Sequence, residues 1–194
     1  MFDIAIPNKN EEEFVKVAKE LGLETIIFLY NLNDFERISK ESKIKELAIK
    51  ENISIKIGTI CNNFKELNRA LQKRCLIFCN SNIPNSSSEL RNMLRKGVYG
   101  IFEMEISQSR LGKDHTHYPR SGLNQVLVKI MKQNNINYFE SFSSILNVKG
   151  TDRINLLRRM RFNEKICKKY KVEVNLASFA RKPNELRYFT VRSL

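Results

Sequence analysis

Seven short β-rich runs alternate with helical patterns along the chain, and this alternation constrains the fold more than any other feature. The runs cover 2–6, 25–30, 53–60, 75–80, 100–106, 136–142 and 172–178. Most are nearly continuous in apolar or β-branched residues, as expected for strands covered on both faces. The helical patterns cover 11–22, 34–51, 64–74, 87–96, 122–134 and 152–170. This alternation predicts βαβ units and a parallel sheet.

Two architectures satisfy such an alternation, a closed barrel and a doubly wound open sheet. The first strand is followed by IPNKNEEEF, which lacks the glycine-rich phosphate loop of the dinucleotide-binding open sheet. The sequence therefore predicts an α/β chain with a TIM-barrel-like (β/α) barrel, and one barrel domain over residues 1–194. Because the segment after residue 184 is too short for another full unit, incomplete or irregular closure is expected.

The positive charge is concentrated in the second half of the chain. Residues 1–97 carry 16 basic and 13 acidic side chains, whereas residues 98–194 carry 18 basic and 8 acidic ones. A surface of this kind attracts polyanions, because binding releases the counterions of their phosphates. The N-terminal sequence is acidic and no apolar run approaches the roughly 20 residues that span a bilayer, so a cytoplasmic protein is expected.

The longest irregular stretch, 107–122, contains both histidines of the chain, His115 and His117, next to Asp114. In a barrel this loop follows a strand and lies on the face where functional loops collect. A metal hydrolase would use these three residues as ligands, with Asp3, Glu103 or Glu105 as further carboxylates. The chain has no other histidine, so the sequence favours imidazoles that contact bases or phosphates beside Arg110, Lys113 and Arg120.

The four cysteines, and two glutamates in a predicted strand, are also candidates for chemistry. Cys61, Cys75, Cys79 and Cys167 lack the paired spacing of a zinc site and are interpreted as buried, reduced thiols. Glu103 and Glu105 alternate with apolar residues and should share one face. They could serve as an acid/base pair. Because the sequence shows no accompanying nucleophile or set of metal ligands, a structural network that pairs them with a basic side chain is favoured.

The last predicted helix, 152–170, is strongly basic. Its apolar stripe is predicted at Ile154, Leu157, Phe162, Ile166 and Tyr170, and its cationic surface at Arg158, Arg159, Arg161, Lys165, Lys168 and Lys169. A solvated charged face is common in helices, but arginine also suits bidentate phosphate contact. This helix is therefore a candidate for contact with RNA or with another subunit. Arg91 and Arg95 form a second basic pair one helical turn apart.

Several segments in a fixed order carry a resemblance to a known family. They are HYPRSGLNQVLVKI at 117–130, INYFESFSSIL at 136–146 and NLLRRMRFNEKICKKYKVEVNLASFARKPNELR at 155–187, with FDIAIPN at the N-terminus. Together they resemble ribonuclease P protein component 3 of archaeal and eukaryotic ribonuclease P. The resemblance implies a barrel related to metal-dependent phosphoesterases, and a protein that is not itself the catalyst.

The resemblance also implies partners and contact residues. The RNA subunit would remove the 5′ leader of precursor tRNA with Mg²⁺ at the RNA, no cofactor would be bound by this chain, and a small α/β protein would be its partner. The match to the family's loop and tail places RNA contacts at Arg110, Lys113, His117, Arg120, Lys129 and Arg187. Charge alone adds Arg91, Arg95, Arg158 and Arg159.

Three hypotheses about function follow from the sequence. The first is an RNA-binding subunit of ribonuclease P, a ribonucleoprotein endonuclease of tRNA processing. The second is a metal-dependent phosphoesterase on the same barrel, with Asp114, His115 and His117 as ligands. The third is an interaction protein whose charge serves solubility alone.

Overall fold

The computed structural model describes residues 1–80, 87–106 and 119–189. Its seven strands are β1 Phe2–Ala5, β2 Thr25–Asn31, β3 Ser54–Ile60, β4 Leu76–Asn80, β5 Gly100–Phe102, β6 Asn137–Ser141 and β7 Val174–Ala177. Its α-helices in these ranges are α1 Glu11–Glu20, α2 Leu32–Ile38, α3 Lys43–Glu51, α4 Phe64–Leu71, α5 Ser87–Leu94, α6 Gln125–Gln133, α7 Phe142–Asn147 and α8 Gly150–Lys169. A 3₁₀ turn spans Pro183–Glu185.

The strands form one parallel sheet in the order β1-β2-β3-β4-β5-β6-β7. The ring is completed after β7, where Ala180 pairs with Ala5 of β1 through an isolated parallel bridge. The N–H of Ile6 donates to the carbonyl of Ala180 at 2.8 Å, and the N–H of Ala180 donates to the carbonyl of Ile4 at 3.1 Å. The predicted barrel is confirmed, and its closure is irregular because the pairing segment is a loop beyond the last strand.

The side chain of Asp3 stabilises the same closure by accepting hydrogen bonds from backbone N–H groups. Its carboxylate is buried and accepts from the backbone N–H groups of Ile4 at 2.8 Å and Ser178 at 2.7 Å. Its second oxygen accepts from the N–H of Arg187 at 3.3 Å. Burial raises the pKa of Asp3, and these hydrogen bonds oppose that rise. Asp3 thus joins β1 to the segments that follow β7.

Apolar side chains pack against both faces of the sheet, inside the barrel and between the barrel and its helices. The interior holds the phenyl rings of Phe78, Phe102, Phe139 and Phe179. The rings of Phe102, at the end of β5, and Phe179, after β7, stack with their centroids 4.2 Å apart. A larger outer cluster lies between the sheet and the helices. Gly100 has to be small, because a Cβ atom there would lie 2.5 Å from the ring of Phe139.

Asparagine side chains start three of the helices. Asn31 accepts from the N–H of Asp34, Asn63 from that of Glu66, and Asn124 from those of Val126 and Leu127. Such caps satisfy backbone donors that have no partner within the helix. The helical pattern at 34–51 is divided in the structure, with α2 ending at Ile38 and α3 beginning at Lys43.

Two sequence-based expectations need correction. The predicted strand 100–106 ends at Phe102, since Glu103 has a φ of 56°, in the left-handed region that interrupts a strand. The predicted apolar stripe of 152–170 is also wrong at its first two positions, whereas Ile166 and Tyr170 pack against the core as predicted. Ile154 is 67% exposed and Leu157 is 38% exposed, whereas the buried side of α8 carries Leu156, Arg159, Met160, Asn163, Glu164 and Cys167.

Candidate functional site

Polar side chains collect where β5, β6 and β7 end, which is the face on which barrel proteins carry their sites. Glu103 and Glu105 follow β5, and Ser143 and Ser144 follow β6. All four residues are buried. Arg181 reaches the same place from the segment after β7. Because parallel strands all point their carboxyl ends the same way, residues far apart in the sequence meet here.

Glu103 is the centre of a structural hydrogen-bond network. Its Oε1 accepts from the hydroxyl of Ser144 at 3.1 Å, from that of Ser141 at 3.4 Å and from Nη2 of Arg181 at 3.4 Å. The carboxylate is nine-tenths buried, whereas the Arg181 side chain is half exposed. The interpretation of Glu103 as part of a network with a basic partner agrees with this geometry.

Glu105 lies deeper and has a different environment. It is fully buried, and its Oε2 accepts from the hydroxyl of Tyr138 at 2.9 Å. Among the described residues, its Oε1 has no hydrogen-bond partner. Burial raises the pKa of Glu105 to about 8, with the carboxylates of Glu140 and Glu103 adding to the rise. Glu105 is therefore largely protonated at neutral pH.

Helix α8 supports Glu105 from the other side. Nη1 of Arg159 donates to the backbone carbonyl of Glu105 at 3.2 Å. Asn163 donates to the hydroxyl of Tyr138 at 3.3 Å and to the carbonyl of Ser121 at 2.9 Å. The predicted surface position of Arg159 is a further error, because this side chain is only 6% exposed. It stabilises the turn after β5 instead of standing on the outer face of α8.

A cavity of about 330 Å³ opens beside these groups. We call it the carboxyl-end pocket. Its walls combine carboxylates, guanidinium groups, hydroxyls and aliphatic side chains. They are formed by Glu103, Glu105, Ile106, Ser143, Ser144, Asn147, Val148, Asp152, Leu156, Arg159 and Arg181. Among these, Arg181 and the serines were not singled out from the sequence, although their positions just beyond predicted strands indicate this face. Asp152 begins the predicted helix 152–170 and carried no such signal.

The ionisation of Glu105 predicts a specific dependence of stability on pH. The folded pKa of about 8 lies above the ordinary value of 4.5, so between these values the folded state holds a proton that the unfolded state releases. Stability should then fall as pH rises through this window and level off above it. Relative to Glu105→Gln, the wild type should lose on the order of a few kcal/mol between about pH 5 and about pH 9.

Urea unfolding of both proteins across this pH range measures the difference. The exposed substitution Glu13→Gln is the matched control and should track the wild type. Parallel curves for the wild type and Glu105→Gln would contradict the assignment of a raised pKa to Glu105.

No group of three or more His, Cys, Asp or Glu side chains that could hold a metal ion occurs in the described ranges 1–80, 87–106 and 119–189. The ligands considered from the sequence, Asp114, His115 and His117, lie outside the described residues.

The four thiols are free, and the prediction of buried core thiols is confirmed for three of them. Cys61, Cys79 and Cys167 are buried, and Cys75 is half-buried. Burial raises the pKa of Cys61 to about 12 and that of Cys167 to about 12, so neither is an activated nucleophile.

The basic residues named from the sequence fall into separate places. Arg95, Arg120, Lys129 and Arg158 are exposed, and Arg91 is half-buried. Arg187 is also half-buried, with its guanidinium 5.5 Å from the ring centroid of Phe142 and its Nη1 donating to two backbone carbonyls. Arg110, Lys113 and His117 lie outside the described residues. RNA contact by any of these residues stays a prediction.

Three helices bring part of this charge together. Helix α6 contacts both α5 and α8; Lys129 and Arg158 lie on α6 and α8, and Arg95 directly follows α5. The ammonium groups of Lys129 and Lys169 each lie 5.8 Å from the ring centroid of Tyr170. We call the exposed side of α5, α6 and α8 the basic helical wall.

Comparisons with known proteins give structural neighbours but no sequence family. No protein-family model matches the chain, and no curated protein matches its sequence. A chain from the cryo-EM structure of archaeal ribonuclease P with mature tRNA is similar to this chain. It aligns with a TM-score of 0.74 and 20% identity over 95% of this chain and 77% of that one.

A second neighbour is an enzyme barrel. The 5-methylcytosine deaminase from Klebsiella pneumoniae, liganded with 5-fluorocytosine, aligns with a TM-score of 0.51 and 10% identity. The alignment covers 88% of this chain but 51% of the deaminase. At these identities the two likenesses establish the barrel fold.

No helix in the described residues is long and apolar enough to span a membrane.

Proposed function

We propose that this chain is an RNA-binding protein subunit of ribonuclease P. The observation that carries the proposal is the TM-score of 0.74 over 95% of the chain to a chain of archaeal ribonuclease P with tRNA, well above the 0.51 of the deaminase barrel. The sequence resemblance to protein component 3 of that enzyme supports the same conclusion independently.

The charge of the chain supports a polyanionic partner. The formal net charge is +13, and the basic helical wall presents exposed cations on α6, on α8 and directly after α5. Arginine and lysine on such a surface bind phosphates and release counterions. In the proposed assembly the partners are the ribonuclease P RNA, the precursor tRNA and a small α/β protein subunit.

In this proposal the catalytic RNA removes the 5′ leader of precursor tRNA, and Mg²⁺ is held at the RNA. The protein binds no cofactor of its own and favours the active fold of the RNA. The alternative, a metal-dependent phosphoesterase, depends on Asp114, His115 and His117. No observation on the described residues favours it.

Direct binding to ribonuclease P RNA tests the proposal first. We expect the affinity to fall steeply with salt, with a log–log slope of about −0.7 to −0.9 for each phosphate neutralised. A single-stranded RNA of equal length without stable structure is the matched control and should bind more weakly at the same salt concentration. Filter binding over a series of salt concentrations measures both. Equal affinity for the two RNAs would contradict a role in this ribonucleoprotein.

A further inference from the structure

The carboxyl-end pocket contains a buried polar atom that no neighbour satisfies. Glu105 is fully buried and lines the pocket, and its Oε1 has no hydrogen-bond partner in the described part of the chain. Its other oxygen is held by Tyr138, which is itself held by Asn163. A buried oxygen left unpaired costs about 1–3 kcal/mol, so such a group points to a partner that the folded chain alone does not supply.

The size of the pocket exceeds what one ordered water would need. Its volume is about 330 Å³, whereas a water occupies about 30 Å³ of the liquid. A cavity of this size is typical of small-ligand sites. A simple anion is disfavoured, because Glu103 and Asp152 also line the pocket with carboxylates.

The lining fits a flat heterocycle better than a sugar. Ile106, Val148 and Leu156 supply aliphatic surface, and Glu105 supplies the unpaired polar atom. A nucleobase has apolar faces and a hydrogen-bonding edge, and proteins that recognise unpaired RNA bind such bases through those edges. Arg181, half exposed and ion-paired with Glu103, offsets one of the negative charges of the lining.

We propose that the carboxyl-end pocket binds one unstacked nucleobase, with the base edge hydrogen-bonded to the free Oε1 of Glu105. The inference rests on the proposed function, because it assigns this pocket to an unpaired nucleotide of the bound RNA. Since Oε2 accepts from Tyr138, a protonated Glu105 donates from Oε1. The acceptor is then a ring nitrogen or a carbonyl oxygen on the edge of the base, and each of the common bases presents at least one such group.

Mononucleotide binding to the isolated full chain tests the pocket. AMP, CMP and UMP are titrated at neutral pH, with calorimetry for affinity and NMR shifts for location. We expect all three to bind about tenfold more tightly than ribose 5-phosphate, the control ligand without a base, since the loss of one buried hydrogen bond costs about 1–3 kcal/mol. No binding of AMP or CMP by folded protein at millimolar concentration would overturn the inference.

Two variants locate the binding. Asn147 is exposed at the edge of the pocket, and its Nδ2 donates to the carbonyl of Ser143 at 2.8 Å. Asn147→Trp should block entry and weaken binding at least about tenfold. Asn33→Trp, on exposed α2, is the matched control and should bind like the wild type. Glu105→Gln keeps a donor and an acceptor and should retain binding, whereas Glu105→Ala should lose it. Unchanged affinity of Asn147→Trp would overturn the assignment to this pocket.

The RNA-binding experiment separates this inference from the proposed function. Tight binding of ribonuclease P RNA without binding of AMP or CMP would overturn the pocket alone. Binding of AMP or CMP without preference for that RNA would leave the pocket as a nucleotide site and overturn the ribonuclease P role.

Discussion

Replacing Phe78 by Ala is expected to lower the free energy of unfolding by about 3–5 kcal/mol, the range for removing a large aromatic ring from a packed core. Phe78 is fully buried in the barrel interior. Its ring centroid lies 5.4 Å from those of Tyr99 and Phe139, 6.2 Å from that of Phe179 and 6.3 Å from that of Phe102. The substitution therefore leaves a cavity and removes several aromatic contacts.

Chemical denaturation measures this loss, with Ile154→Ala as the control. Ile154 is 67% exposed on α8, and its replacement should change stability by less than about 0.5 kcal/mol. A loss below about 1 kcal/mol for Phe78→Ala would contradict a barrel interior organised around this ring.

The second large effect concerns RNA affinity. Replacing Arg95, Lys129 and Arg158 by Gln should weaken binding to ribonuclease P RNA by about two to three orders of magnitude at about 0.1 M salt. Each phosphate contact contributes a slope of about 0.7–0.9, and so about five- to eightfold in affinity at that concentration. The salt slope itself should fall by about two to three. These side chains are exposed on α6, on α8 and directly after α5, so their replacement leaves the core unchanged.

A matched control removes the same charge elsewhere. Lys16, Lys45 and Lys50 are exposed on α1 and α3. Their replacement by Gln should reduce affinity by much less, because only long-range attraction is lost. Equal losses in the two triple variants would show that net charge, and not the basic helical wall, determines binding.

The strand positions could be predicted because the barrel buries both faces of its sheet. Runs of apolar or β-branched residues, most of them nearly continuous, mark all seven strands, and each run overlaps a strand of the structure. The end of β5 could not be read in this way. Ile101 and Met104 continue the apolar pattern, but the backbone at Glu103 turns into the left-handed region and directs the carboxylates into a polar network.

The buried face of α8 shows a second limit of the pattern. Arg159 and Asn163 are buried because partners come from other elements, namely the carbonyl of Glu105 for Arg159 and the hydroxyl of Tyr138 for Asn163. Hydrophobic periodicity counts such residues as surface. The carboxyl-end pocket depends on the same long-range pairing, so Arg181 beside Glu103 could not be found from spacing along the chain.

Reconstitution at limiting Mg²⁺ tests the central claim most directly. The purified chain and a candidate small α/β partner are mixed with ribonuclease P RNA, and cleavage of a 5′-extended precursor tRNA is followed. The account predicts cleavage that requires the RNA and is stimulated by the proteins, with the Arg95, Lys129 and Arg158 triple variant impaired. Absence of stimulation with folded proteins and an RNA that is active at high Mg²⁺ would contradict it, as would cleavage by the protein alone.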